Sequence, residues 1–201
     1  MINAPETSYK KATQALNLFA RKKEGRINKM KAIKLIFLAD RLHLRRYGRP
    51  IVGDIYWAMK LGPVGSLTKN IADLSSISEN ALVYAKKYIK PTDDKKETFV
   101  SLRQEDLSVF SKTDLECLET VYDKFSDKDQ FELAEITHKF PEWAKHKREL
   151  EDGKKRVRMN YDDFFADTQK GDDLFSQYKS DLEVAKEAFS ELKEVSEFFA
   201  R

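Results

Sequence analysis

Cysteine is almost absent. Cys117 stands alone in 201 residues, which leaves no internal disulfide framework and no multi-cysteine zinc site. Glycine and proline are scarce, at 7 and 5, and they gather between Gly48 and Gly65. This predicts a mostly helical chain with one irregular region near its middle. No apolar run approaches the roughly 18 residues of a membrane span, and Met1 to Lys10 lack the apolar stretch of a secretory signal. The expectation is a soluble, cytoplasmic protein with no membrane partner. Histidine is rare too. His138 and His146 are separated by Pro141, so they cannot form a helical i, i+4 zinc pair, and His43 lies far off. Gly62-Pro63-Val64-Gly65 lacks the spacing and the lysine of a phosphate-cradling loop. Cys117 has no local base to activate it and reads as a half-buried helix residue. No catalytic constellation, metal site or cofactor motif is expected, and so no enzyme.

Aromatic and charged residues are plentiful, with 13 Phe, 8 Tyr and 2 Trp, too many for a disordered chain. The net charge of +3 hides a strong asymmetry. Residues 1–50 carry 13 basic and 3 acidic side chains, whereas residues 111–201 carry 16 basic and 23 acidic ones. The basic cluster comprises Arg21, Lys22, Lys23, Arg26, Lys29, Lys31 and Lys34, followed by Arg41, Arg45, Arg46 and Arg49. It could serve a DNA-binding regulator. The helix that carries much of it is apolar on two sides, which favours a solvated or internally paired basic face and argues against nucleic acid.

Periodicity predicts a helix over Tyr9–Lys22 and a second over about Lys29–Tyr47, with Asn28 as N-cap and Gly48-Arg49-Pro50 as its end. The second helix has one stripe of Met30, Ile33, Phe37 and Leu44 and another of Leu35, Leu38 and Leu42, which puts it at the centre of a domain. Asp54–Lys60 reads as extended, and Pro63 is expected to open a helix reaching about Leu74. Ala81–Ile89 and Glu97–Arg103 are expected to form a hairpin around Pro91–Asp94. Ser111 to Asp114 forms a capping box for a helix with Leu115, Leu118, Val121, Tyr122 and Phe125 on one face. A helix over Gln130–His138 and a short one around Trp143 follow. Glu149–Arg158 reads as a linker or exposed turn. The fold class expected is mainly α (α+β), a compact helical domain over 1–150 with a small β-hairpin, and an acidic helical extension over 151–201.

Two features carry a choice of roles. Asp40 and His43 stand three apart on the central helix, either as an acid/base pair or with Asp40 as a buried anchor for the Gly48–Asp54 loop; the anchor is favoured. In the extension, Phe175, Tyr178, Leu182, Ala185, Phe189 and Leu192 form a seam that weakens at Ser196 and resumes at Phe199. That seam either packs on its own domain or docks a partner or a second copy, through Tyr178, Leu182, Phe189, Leu192 and Phe199. Val184, Val195 and Phe198 lie off the seam and suggest a second contact surface.

The run Leu38-Ala39-Asp40, His43, Gly48-Arg49-Pro50-Ile51, Gly53-Asp54, Tyr56, Ala58 and Gly62-Pro63-Val64 resembles the signature of the Panacea domain, also called SocA-like or GepA-like. The stretch Phe131–His138 with Glu142-Trp143 is similar to its second half. The resemblance spans about Ala12–Lys147. It implies the antitoxin of a bacterial or phage toxin–antitoxin pair, a mainly helical domain that neutralises its cognate toxin by direct contact without catalysing a reaction. It implies partners among translation-blocking toxins, including alarmone-synthetase-like enzymes that modify tRNA, and for one member a role as proteolytic adaptor. The matching residues Asp40, His43, Gly48, Arg49, Pro50, Gly53, Asp54, Tyr56, Gly62 and Pro63 read as scaffold, with specificity on less patterned surface.

Overall fold

The computed structural model describes residues 6–92, 97–167 and 174–199. Helix α1 spans Glu6–Lys22, strand β1 Arg26–Asn28, and helix α2 Lys29–Tyr47. The ends of α2 are the predicted ones. The Asn28 side chain accepts a hydrogen bond from the Lys31 N–H at 3.1 Å, and Gly48 closes the helix with φ +68° while donating to the Leu44 carbonyl at 2.9 Å.

Strands β2 (Tyr56–Met59) and β3 (Gly62–Gly65) form a hairpin, followed by α3 (Ser66–Ala72) and α4 (Glu79–Lys86). Strands β4 (Ile89–Pro91) and β5 (Thr98–Ser101) form a second hairpin. Helices α5 (Lys112–Phe125), α6 (Gln130–His138), α7 (Pro141–Ala144) and α8 (Lys147–Glu151) come next. Strand β6 (Val157–Arg158), a 3-10 turn at Tyr161–Phe165 and α9 (Lys179–Phe199) complete the described chain. The strands make two antiparallel three-stranded sheets, ordered β1-β5-β4 and β3-β2-β6. The fold is mainly helical α+β.

Helix α2 explains the architecture. It packs against α1, α3, α5, α6 and α9, so its two apolar stripes both find partners. Leu35, Leu38 and Leu42 are fully buried, and so are Phe37 and Leu44 on the other stripe. The same enclosure takes in its charged residues. Lys34, Arg41 and Arg45 are each no more than 1% exposed.

Three predicted segments differ. Pro63 lies in β3 opposite Ala58, and the helix begins only at Ser66. β3 is an edge strand, where a missing N–H is tolerated. Residues 81–86 are helical rather than extended, because Ser78 caps α4 by accepting from the Ala81 N–H. The expected Pro91–Asp94 loop runs into residues 93–96, outside the described residues. The segment read as a linker contains the end of α8 and all of β6, and β6 pairs with β2 through Trp57–Arg158 and Ala58–Val157. Among the described residues no helix is long and apolar enough to cross a membrane.

Candidate functional site

The residues of the central motif converge on the loop between α2 and β2. Asp40 lies on the inward side of α2, fully buried. One carboxylate oxygen accepts the Ile51 and Val52 N–H groups at 2.9 Å each, and the other accepts the Tyr56 hydroxyl at 2.9 Å. Burial pushes its carboxyl up to about 7 against these three donors. Asp54 does the same one step later. It accepts the Leu67 and Thr68 N–H groups at 2.8 Å and the Thr68 hydroxyl at 2.7 Å. It thereby holds the start of α3 against the loop. A Cβ on Gly65 would run into this carboxylate, so glycine there permits the close approach.

His43 turns away from Asp40. Its Nδ1 lies 2.7 Å from the Arg49 carbonyl and its Nε2 3.0 Å from Thr113 Oγ1. A carbonyl only accepts, so Nδ1 carries a proton, while Nε2 also lies 3.1 Å from the Asp114 carboxylate. Burial lowers the His43 pKa, opposed by the Arg49 carbonyl and the Asp114 carboxylate. Arg49 reaches Ser111 Oγ and Asp114 Oδ1, both at 3.0 Å. Pro50 follows it, partly exposed, and Gly53 turns the loop with φ +69°.

Asp114, expected from the sequence only as the acid of a capping box, is also a junction. It completes the capping box of α5 with Ser111 and also pairs with Lys11 of α1 at 2.7 Å. Burial raises its carboxyl, and Lys11, the Ser111 N–H and Arg49 together hold it below the usual range. Gly62 and Pro63 meet the buried Lys34, whose ammonium donates to the Pro63 carbonyl at 2.9 Å. A Cβ on Gly62 would stand 2.8 Å from that ammonium and 2.7 Å from Thr137 Oγ1. Burial brings Lys34 down to about 7.

A second buried network was not legible from motifs. Arg41 pairs with Glu142 of α7 at 2.7 Å and stacks on Phe140, its guanidinium carbon 4.2 Å from the ring centre. Arg45 donates to the carbonyls of Phe164 (2.9 Å), Ala166 (3.0 Å) and Phe175 (3.1 Å), and to Asp167 at 2.8 Å. The signal was present in α2 itself: a helix apolar on two sides must bury its charges, and those charges need partners.

Chemically this is a clasp, not a cleft. Asp40 and His43 are buried, do not meet, and are bonded mainly to backbone and to neighbouring helices. Cys117 is buried, and burial pushes its thiol up to about 12. Among the described residues no group of three or more His, Cys, Asp or Glu side chains is placed to hold a metal ion.

The seam of α9 splits between inside and outside. Phe175 and Ala185 are buried, and Leu182 and Phe189 pack partly buried against the core. The Phe189 ring lies 5.9 Å from that of Tyr161 and 5.7 Å from that of Phe165. Tyr178 and Leu192 are exposed, as are Val184, Val195 and Phe198. The side chains of Ser196 and Phe199 lie outside the described residues.

Residues 33–144 match the family model described as antitoxin SocA-like, Panacea domain. No curated protein and no solved structure matches the chain. The matched segment takes in more than half of the sequence, from the second turn of α2 through the anchored loop and both hairpins to the end of α7. The chain belongs to the SocA-like, Panacea-domain family of antitoxins.

Proposed function

We propose that this protein is the antitoxin of a bacterial or phage toxin–antitoxin pair and neutralises its cognate toxin by stoichiometric protein–protein contact. The family match over residues 33–144 carries this reading. The clasp geometry supports it. Asp40, His43, Asp54 and Asp114 spend their hydrogen-bonding capacity on the chain itself, as a rigid scaffold under a variable surface would require. The toxin class that the family implies is translation-targeting, including alarmone-synthetase-like enzymes that modify tRNA, and a role in phage defence follows from that setting. The reading places the protein in the cytoplasm, acting without catalysis.

The test is coexpression with the product of the adjacent reading frame. That product alone arrests growth, this chain restores it, and the two copurify. A neighbour that is harmless alone and does not copurify removes the proposal. A shorter half-life of the neighbour in the presence of this chain would instead support delivery to a protease.

A further inference from the structure

Helix α9 has two apolar faces, and its own domain covers one of them. The covered face carries Leu182, Ala185 and Phe189, and it sits so close to the end of α2 that a Cβ on Gly48 would stand 2.5 Å from the Ala185 carbonyl and 2.8 Å from the Ala188 Cβ. The other face turns outward past this contact. On it Val184 is 65% exposed and Val195 54%, while Leu192, seven residues on from Ala185, continues the covered stripe past the edge of the domain and is 51% exposed. Tyr47, next to Gly48, is exposed too. None of these three α9 side chains is buried in the seat of the helix.

The charges of α9 are sorted in the same way. At 3.6 residues per turn, Glu183, Glu187, Glu191 and Glu194 form a row beside the outward apolar face, repeating at about one turn, or about 5.4 Å. Lys186 and Lys193 fall on the opposite flank, and Lys193 reaches Asp162 of the domain at 3.8 Å. Among the described residues, the ion pair found for the glutamate row is Glu183 with Lys179 at 3.9 Å. An apolar strip with a carboxylate row along one edge is complementary to an apolar strip edged by lysine and arginine.

We infer that the exposed surface of α9, through Val184, Val195, the free end of the seam at Leu192 and the Glu187–Glu194 row, is the surface that docks the cognate toxin, and that the toxin meets it with an apolar patch edged by basic side chains. This rests on the antitoxin reading above. The charge pattern favours that occupant over a second copy of this chain, because antiparallel pairing of two such helices sets each glutamate row against its own copy. A protein that handles RNA carries the required positive surface, and a glutamate row bound there would compete with the RNA by charge.

The experiment measures binding of the purified chain to the product of the adjacent reading frame at low and at high salt. Two variants change the exposed surface: Leu192→Arg with Val195→Arg, and Glu187→Lys with Glu191→Lys and Glu194→Lys. Phe131→Arg, at an exposed position of α6, is the control. Both α9 variants are expected to melt like the wild type and to bind at least about tenfold more weakly, while Phe131→Arg binds normally. Wild-type affinity should fall with salt, and the glutamate variant should lose most of that salt dependence. Wild-type affinity in both folded variants overturns the inference while leaving the antitoxin reading in place. A wild-type dimer that the arginine variant converts to monomer, with toxin binding unchanged, assigns the face to self-association and also overturns it. If the wild type does not bind at all, the antitoxin reading itself fails and the docking face falls with it.

Discussion

Three donors meet the Asp40 carboxylate, and removing it leaves the Ile51 and Val52 amides and the Tyr56 hydroxyl unsatisfied in the core. Asp40→Ala is therefore expected to destabilise the fold by about 2–4 kcal/mol, read by urea unfolding. Glu142→Ala strands the Arg41 guanidinium without its carboxylate and should cost about 3–5 kcal/mol by the same measurement. Asp40 and Lys34 also set opposite pH slopes. Asp40 is raised from 3.8 to about 7 on folding, so the folded state holds its proton longer and stability falls as pH rises across that window. Lys34 is lowered from 10.5 to about 7, so the unfolded state binds the extra proton and stability rises above pH 7. These two groups together place a stability minimum near neutrality. Lys34→Met should flatten the rise between about pH 7 and pH 9, before the tyrosines titrate. A rise of undiminished slope in the variant would show that other groups carry it.

Among the elements, boundaries with local chemistry were legible and those set by tertiary packing were not. Asn28 and Gly48 delimit α2 by side-chain acceptance and a left-handed φ, and Ser111 with Asp114 opens α5; both signals sit within four residues of the feature they determine. Pro63 misleads because proline suits both a helix start and an edge strand, and the choice was made by Ala58 across the hairpin. Residues 81–86 carry Leu, Val and Tyr, and their strand-like composition lost to the Ser78 cap and to the packing of α4 against α1. The inward seam of α9 was readable from its spacing, but the face that meets the domain depends on Gly48, some 140 residues earlier. Gly48→Ala combines a strained φ with a collision against Ala185 and Ala188. It should loosen α9 while the core of α2 persists. Hydrogen exchange reads this directly, with α9 amides exchanging faster and those of Phe37 to Leu42 remaining protected. Unchanged α9 protection would mean that the helix is held by other contacts.

Across the whole molecule, the charge asymmetry of the sequence is largely consumed by folding. Lys34, Arg41 and Arg45 go inside, Lys29 pairs with Asp73, Arg21 with Glu105, and Lys11 and Arg49 share Asp114. The candidate nucleic-acid face was visible as a count of cations, whereas their partners lie up to 130 residues away and could not be read from local sequence. The turn of the central loop and the Asp40 anchor were legible because glycines, prolines and an apolar-face aspartate mark unusual backbone. The buried pairings of Glu142 with Arg41 and of Asp114 with Lys11 and Arg49 were not, because each acid looks locally like an ordinary helix-start residue. The carboxylate row and apolar strip of α9 stay exposed, and they are the surface proposed above to meet a protein partner. The most direct measurement titrates purified protein against the product of the adjacent reading frame in the assay where that product is toxic. Stoichiometric neutralisation predicts that inhibition falls in proportion to added protein and vanishes at a fixed molar ratio. Relief at far smaller amounts, or none at saturation, would contradict it.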